Sequence, residues 1–182
     1  RYVPRDLRIE LGLNYGIVSG GDTYINTHNV GASLDFHINP HWSLGVRYYQ
    51  SNNELTPQGQ GVFEEEQKRR NQRLEGGNIF DVDYPLTTVL GVINWYPLYG
   101  KLNLFDQGIS QFDVYLVAGG GQVVTENTSS PAYTFGGGLS IWISKHFSTR
   151  LEVRYQKHQD EVYDGARDIQ STIFSGSIGW IL

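Results

Sequence analysis

The stretch Thr149-Arg150-Leu151-Glu152-Val153-Arg154-Tyr155-Gln156 alternates without a break. Leu151, Val153 and Tyr155 are apolar or aromatic, while Arg150, Glu152, Arg154 and Gln156 are charged or strongly polar. A period of two means a strand, because successive side chains point to opposite faces. In a half-buried soluble strand the charges would simply face water. Here the pattern recurs along the chain, and several apolar faces end in Trp or Tyr. That combination points to a closed barrel with lipid outside and a filled, polar interior.

Composition narrows the reading. The 182 residues fit one domain, spanning 1–182. The 22 Gly and 12 Tyr suit curved sheets with aromatic girdles. A net charge of −5 with no basic stripe argues against a nucleic-acid partner. The absence of Cys excludes disulfides, thiolate metal sites and a Cys nucleophile. The chain opens Arg1-Tyr2-Val3-Pro4 and has no Met, as expected of a mature or trimmed form. No run reaches the ~18–20 apolar residues of a membrane helix. The strongest candidate, near Val89 and Tyr96, is broken by Gly91 and Asn94. A chain like this spans a membrane as strands.

Eight strands can be drawn, at about 7–17, 24–38, 42–49, 86–96, 112–119, 133–144, 149–156 and 172–182. The first sets Leu7, Ile9, Leu11, Leu13, Tyr15 and Ile17 against Arg8, Glu10, Gly12, Asn14 and Gly16. The fourth is ambiguous, since both of its parities are apolar. Pro97-Leu98-Tyr99-Gly100-Lys101 is expected to end it. The turns near Asn39-Pro40-His41 and Lys145-His146-Phe147-Ser148 are short, whereas the opposite end is expected to carry longer connections. The longest, about 50–84, holds Glu64-Glu65-Glu66-Gln67-Lys68-Arg69-Arg70. Glu64 with Lys68 and Glu65 with Arg69 have the spacing of a helical turn. A loop of that length is solvated and mobile, or else an extracellular contact site carried by Phe63 and the two charge runs.

The meander, the short turns and the closing strand Phe174-Ser175-Gly176-Ser177-Ile178-Gly179-Trp180-Ile181-Leu182 resemble the small outer-membrane barrels of the OmpA/OmpX type. More narrowly, Pro97-Leu98-Tyr99-Gly100-Lys101, Leu104-Phe105 and Phe112-Asp113-Val114-Tyr115-Leu116 are similar to an outer-membrane barrel family of predatory and gliding proteobacteria. The resemblance implies an all-β, eight-stranded antiparallel up-and-down transmembrane barrel in a Gram-negative outer membrane. It implies no catalytic residues. The chain departs from the type in ending on Leu182 and in its long second loop.

With the apolar faces outward, Arg8, Glu10, Asp35, His37, Arg47, Asp113, Arg150, Glu152 and Arg154 collect inside. The bore of eight strands is filled by side chains, so these charges must pair. The expectation is a salt-bridge plug that fixes register, with a narrow ion path as the functional alternative. Trp42, Tyr48, Tyr96 and Trp180, near strand ends, are the expected interfacial anchors. Gly119-Gly120-Gly121 and Gly136-Gly137-Gly138 lack the helix and Lys-Ser/Thr of a phosphate loop, and provide curvature or room for bulky neighbours. The expected protein is a monomer in the lipid bilayer, without cofactor or metal, doing structural or surface-contact work rather than catalysis. Two rivals remain. A soluble lipocalin-like barrel would reverse the faces. A membrane lipid-modifying enzyme would use His28 with Ser19 and Asp22. His158, Asp160 and Glu161 could be drawn as metal ligands, but adjacent polar residues at a strand end more often face water.

Overall fold

A computed structural model describes residues 3–20, 24–71, 85–103, 109–125, 129–162 and 165–182. The strands are β1 (Arg8–Gly20), β2 (Ile25–Asn39), β3 (Trp42–Leu55), β4 (Pro85–Asn103), β5 (Ile109–Thr125), β6 (Ser129–Trp142), β7 (Phe147–Val162) and β8 (Gly165–Ile181). A helix, α1 (Pro57–Asn71), follows β3. Each strand pairs antiparallel with its chain neighbours, and β1 also pairs with β8, closing an eight-stranded barrel. Closure leaves no sheet edge to pair with another chain.

The pleat sorts the side chains as the alternation predicts. Along β7, Arg150, Glu152, Arg154 and Gln156 are buried, and Leu151 and Val153 are exposed. On β1, Ile9, Leu11, Leu13, Tyr15 and Ile17 face out while Glu10 is buried. The apolar sets are therefore on the outside, opposite to a ligand-carrying lipocalin-like barrel. The parity of β4 is also fixed: Thr88, Leu90, Val92, Asn94 and Tyr96 point inward. The outward apolar runs cover 9–17 on β1, 30–38 on β2 and 174–182 on β8. These match the ~9–11 residues that a tilted strand needs to cross a bilayer.

Several boundaries differ from the sequence reading. β3 continues to Leu55, so the long connection is 56–84 rather than 50–84. Beyond Tyr48 both faces of β3 are polar, so apolar alternation disappears while the ladder continues. Outward Gln50, Asn52 and Glu54 are exposed, and inward Ser51 and Asn53 bond to Asn29 (2.8 Å) and Thr27 (2.7 Å). The expected excess of long connections at the end away from the termini reduces to this one. The others there are 21–24, 126–128 and 163–164, against 40–41, 104–108 and 143–146 at the near end.

The charge block falls in α1, whose start has a local cause. Thr56 caps it, accepting at Oγ1 from the Gly59 N–H (3.1 Å), and Pro57 occupies the first helical position, where a missing N–H costs nothing. The Thr56 N–H also donates to the Tyr24 carbonyl (2.8 Å), tying the helix start to the rim.

Inward glycines make room for large neighbours. Gly31 lies opposite Tyr49, and Gly138 opposite Tyr115. A Cβ at Gly31 would meet the Tyr49 ring at 2.7 Å, and one at Gly138 would meet the Tyr115 ring at 2.7 Å. At Gly91, facing out, the nearest atom to a Cβ is the Gly120 carbonyl at 3.8 Å. Gly31→Val is therefore expected to cost about 1–3 kcal/mol by overpacking. Gly91→Ala is expected to leave stability unchanged or raise it by up to about 1 kcal/mol. Urea titration followed by cold-gel mobility compares the two.

Candidate functional site

Besides the exposed Lys157–Asp168 pair (2.7 Å) on β7 and β8, the strands bring buried charged groups together in the lumen. Its charges form three connected groups along the barrel axis. Near the termini, Asp113 on β5 accepts from Trp142 Nε1 (2.6 Å), Gln111 Nε2 (3.1 Å) and Arg5 Nη2 (3.2 Å). In the middle, Glu10 on β1 accepts from Ser148 and from an Arg150 guanidinium nitrogen, and shares a 2.8 Å hydrogen bond with His37 Nε2. Asp35 on β2 accepts from Arg47 (2.7 Å), Asn94 (2.9 Å) and Arg150 (3.1 Å). Toward the far end, Glu152 accepts from the Tyr115 hydroxyl (2.8 Å) and pairs with Arg154 Nε (3.3 Å).

Arg150 joins Glu10 to Asp35 and so links β7 to β1 and β2. Asp35 extends the link to β3 through Arg47 and to β4 through Asn94. β8 takes part by having no side chain at Gly179, where a Cβ would run into the Glu10 carboxylate and Ser148 Oγ at 2.5 Å. The remaining donor capacity of the guanidinium groups is met partly by rings. Arg154 lies 4.9 Å from the centre of the Tyr49 ring, and Arg5 4.8 Å from that of Tyr96. Contacts of this kind contribute about 0.5–2 kcal/mol each when desolvated.

Two expected residues are elsewhere. Arg8 is only half-buried and has no ion pair among the described residues, and Arg5 takes its place in the lumen. The cause is local: Leu7 has a φ of 54°, and the Arg8 N–H closes a turn on the Arg5 carbonyl (3.3 Å). This turn folds residues 3–5 back into the barrel mouth. There the Val3 N–H donates to Gln111 Oε1 (3.1 Å), and Val3 packs with Trp142 and Ile181. The four-to-four balance of Arg against carboxylate survives the exchange.

Tyr96 is the second correction, because it is 2% exposed and not an outward anchor. β4 does not end at Pro97. It runs on to Asn103 across a bulge between Trp95 and Leu98, where Tyr96 and Pro97 together oppose Tyr115. Tyr96 keeps the inward parity of Thr88, Leu90, Val92 and Asn94, and the bulge lets the strand tolerate Pro97. Tyr96 then packs between His37 (5.8 Å) and Tyr115 (5.5 Å) inside. Trp95, 41% exposed, takes the outward position and stacks on Trp42 at 6.0 Å. Trp42, Tyr48 and Trp180 face out as expected.

The catalytic and metal candidates do not assemble among the described residues. His28 faces out and shares a 3.2 Å hydrogen bond with the Tyr15 hydroxyl. Asp22 lies outside the described residues, as do the side chains of Asp160 and Glu161. His158 is buried on the inner face of β7.

Removing one partner of a buried pair leaves an uncompensated charge, which costs about 3–5 kcal/mol. Arg5→Met is expected to destabilise the barrel by that amount through Asp113. Arg8→Met is expected to stay within about 0.5 kcal/mol, as a surface change does. Equal losses at both positions in detergent unfolding would contradict this placement.

No protein-family model matches the sequence, and no curated protein matches it. Among solved structures, the chain is similar to a de novo designed transmembrane β-barrel, with 15% identity, 100% of each chain covered and a TM-score of 0.46. Neisserial surface protein A is similar at 10% identity, with 95% of each chain covered and a TM-score of 0.46. The N-terminal β-barrel domain of Pseudomonas aeruginosa OprF is similar at 9% identity, with 97% of this chain and 98% of that one covered and a TM-score of 0.44.

Proposed function

We propose that this chain is an integral outer-membrane β-barrel of a Gram-negative bacterium that works as a monomer through surface contact. The observation that carries the reading is the pairing of an outward apolar belt with a side-chain-filled, charge-balanced lumen. Such a belt in water would expose far more contiguous apolar surface than a soluble monomer carries. Closed barrels are the strand architecture that satisfies its backbone in lipid. The belt ends in ring clusters near the termini. Trp42 stacks on Trp95, and Trp180 meets Phe147 edge-on at 4.3 Å and stacks with His146 at 5.7 Å.

An ion path is the weaker reading. Leu90, Tyr115 and Arg154, toward the far end of the bore, have no exposed surface, so no water-sized space adjoins them. Conduction would require ion pairs to exchange partners through a packed section. Catalysis is also outside the proposal, since the His28 ring is engaged with Tyr15. What remains for contact is the far rim, where α1 carries exposed Phe63, Glu64, Glu65 and Lys68. The narrower likeness to barrels of predatory and gliding proteobacteria belongs to the same proposal. Of the residues that carry it, Leu104 and Phe105 lie outside the described residues, and the two flanking stretches pair across β4 and β5, with Leu98 opposite Val114 and Gly100 opposite Phe112.

In planar bilayers the purified protein is expected to give no stepwise conductance; steady porin-like openings would overturn the plugged lumen. Replacing residues 57–71 by a short Gly-Ser linker should leave heat-modifiable mobility intact and abolish binding of the barrel to its surface partner. A barrel that no longer folds without α1 would mean that the helix is structural.

A further inference from the structure

On the outer wall, β8 presents Phe174, Gly176, Ile178 and Trp180 in turn. Gly176 lies directly between Tyr15 on β1 and Leu151 on β7. Glycine inside a strand costs about 0.5–1 kcal/mol relative to Ala, and it marks a bulge, a bend or a close approach. The register runs unbroken over 171–181 against β1 and over 171–180 against β7, so there is no bulge at Gly176. Gly176 does not adopt a positive φ. A Cβ there would come no nearer than 3.9 Å to the Arg150 carbonyl and the Leu151 side chain. The inward glycines are explained by their neighbours. Gly176 has no such reason within the described chain.

The missing side chain deepens a shallow, open groove of about 440 Å³ on this outer face. Leu13 and Tyr15 form one wall and Leu151 the other, with Ile178 at one end. Leu13, Leu151 and Ile178 are 73%, 64% and 65% exposed, so these walls stand clear of their neighbours. The floor is one strand wide, since strands lie ~4.7–4.9 Å apart. A slot of that width takes a single extended hydrocarbon chain, while the wall of a second barrel would be held off by the leucine ridges. At the end toward the far rim, Tyr15 and His28 stack with ring centres 6.2 Å apart and share their 3.2 Å hydrogen bond. The groove thus has apolar walls with Tyr15 at one end, and His28 on β2 lies behind that ring, outside the groove.

We propose that this groove holds one acyl chain of a bilayer lipid, with the lipid's polar end at Tyr15. The site rests on the membrane-barrel reading above, and it adds a specific lipid to a general solvent. The test is native mass spectrometry of detergent-purified protein supplied with 1-palmitoyl-2-oleoyl-phosphatidylethanolamine. The wild type is expected to retain one lipid per barrel. Gly176→Leu, which raises a side chain from the floor between Tyr15 and Leu151, should lower retention at least tenfold. Gly91→Leu, at an equally open outward glycine on β4, should retain lipid like the wild type. Tyr15→Phe keeps the wall and should weaken retention severalfold, which covers the case in which Gly176→Leu fails to fold. Equal retention in wild type, Gly176→Leu and Tyr15→Phe overturns the site. So does a dimer that Gly176→Leu abolishes, because the groove would then seat a second copy. Heat-modifiable mobility separates the two levels. If the wild type lacks it, the membrane-barrel reading has failed; if all variants keep it and lipid retention does not differ, only the lipid site has failed.

Discussion

The bore of an eight-stranded barrel leaves room for side chains and little else. Once this chain turns its aliphatic residues outward, alternation sends Arg, Glu and Asp into that bore. A charge enclosed there is tolerated when it is paired and hydrogen-bonded. Most of the interior follows from this constraint. Four Arg face four carboxylates; Glu10, Asp35 and Asp113 each take at least two donors, and Glu152 accepts from Tyr115 and lies 3.3 Å from Arg154 Nε. Inward positions that would crowd the network or the tyrosines around it are Gly, as at Gly45, Gly138 and Gly179.

The same network is proposed to fix strand register as well. Because side chains alternate with a period of two, a slip of one residue at any seam would put a charge into the outer face and an aliphatic group into the bore. Arg150 alone ties β7 to carboxylates on β1 and β2, so such a slip would break pairs on both sides of the closing seam. Buried ion pairs are weak sources of net stability, and register is where they act most clearly. A plug set this way leaves the outer wall and the far rim as the surfaces free to meet other molecules.

The strand count, the antiparallel meander and the facing of β1, β7 and β8 were legible in the chain because those strands alternate cleanly. Tyr96 was not, because both parities of β4 are apolar and nothing in the alternation says that Tyr96 shares the inward set of Thr88 and Asn94. The exchange of Arg5 for Arg8 depends on the backbone of Leu7, which no periodicity records. The far ends of β3 and β8 were hidden for another reason. Outside the belt both faces are polar, and a strand there looks like a loop. One missed signal was present: Thr56-Pro57 ahead of a charged run is a helix start, and it sits at the head of α1.

Tryptophan gives the most direct test of which face meets lipid. Trp42, Trp95 and Trp180 point outward, and Trp142 points inward, bonded to Asp113. In bilayers brominated on the acyl chains, emission of the wild type is predicted to be strongly quenched. A variant with Phe at 42, 95 and 180, keeping Trp142, is predicted to lose almost no emission. Quenching of Trp142 with the other three unaffected would contradict the account, since the charged face would then be the one in contact with lipid.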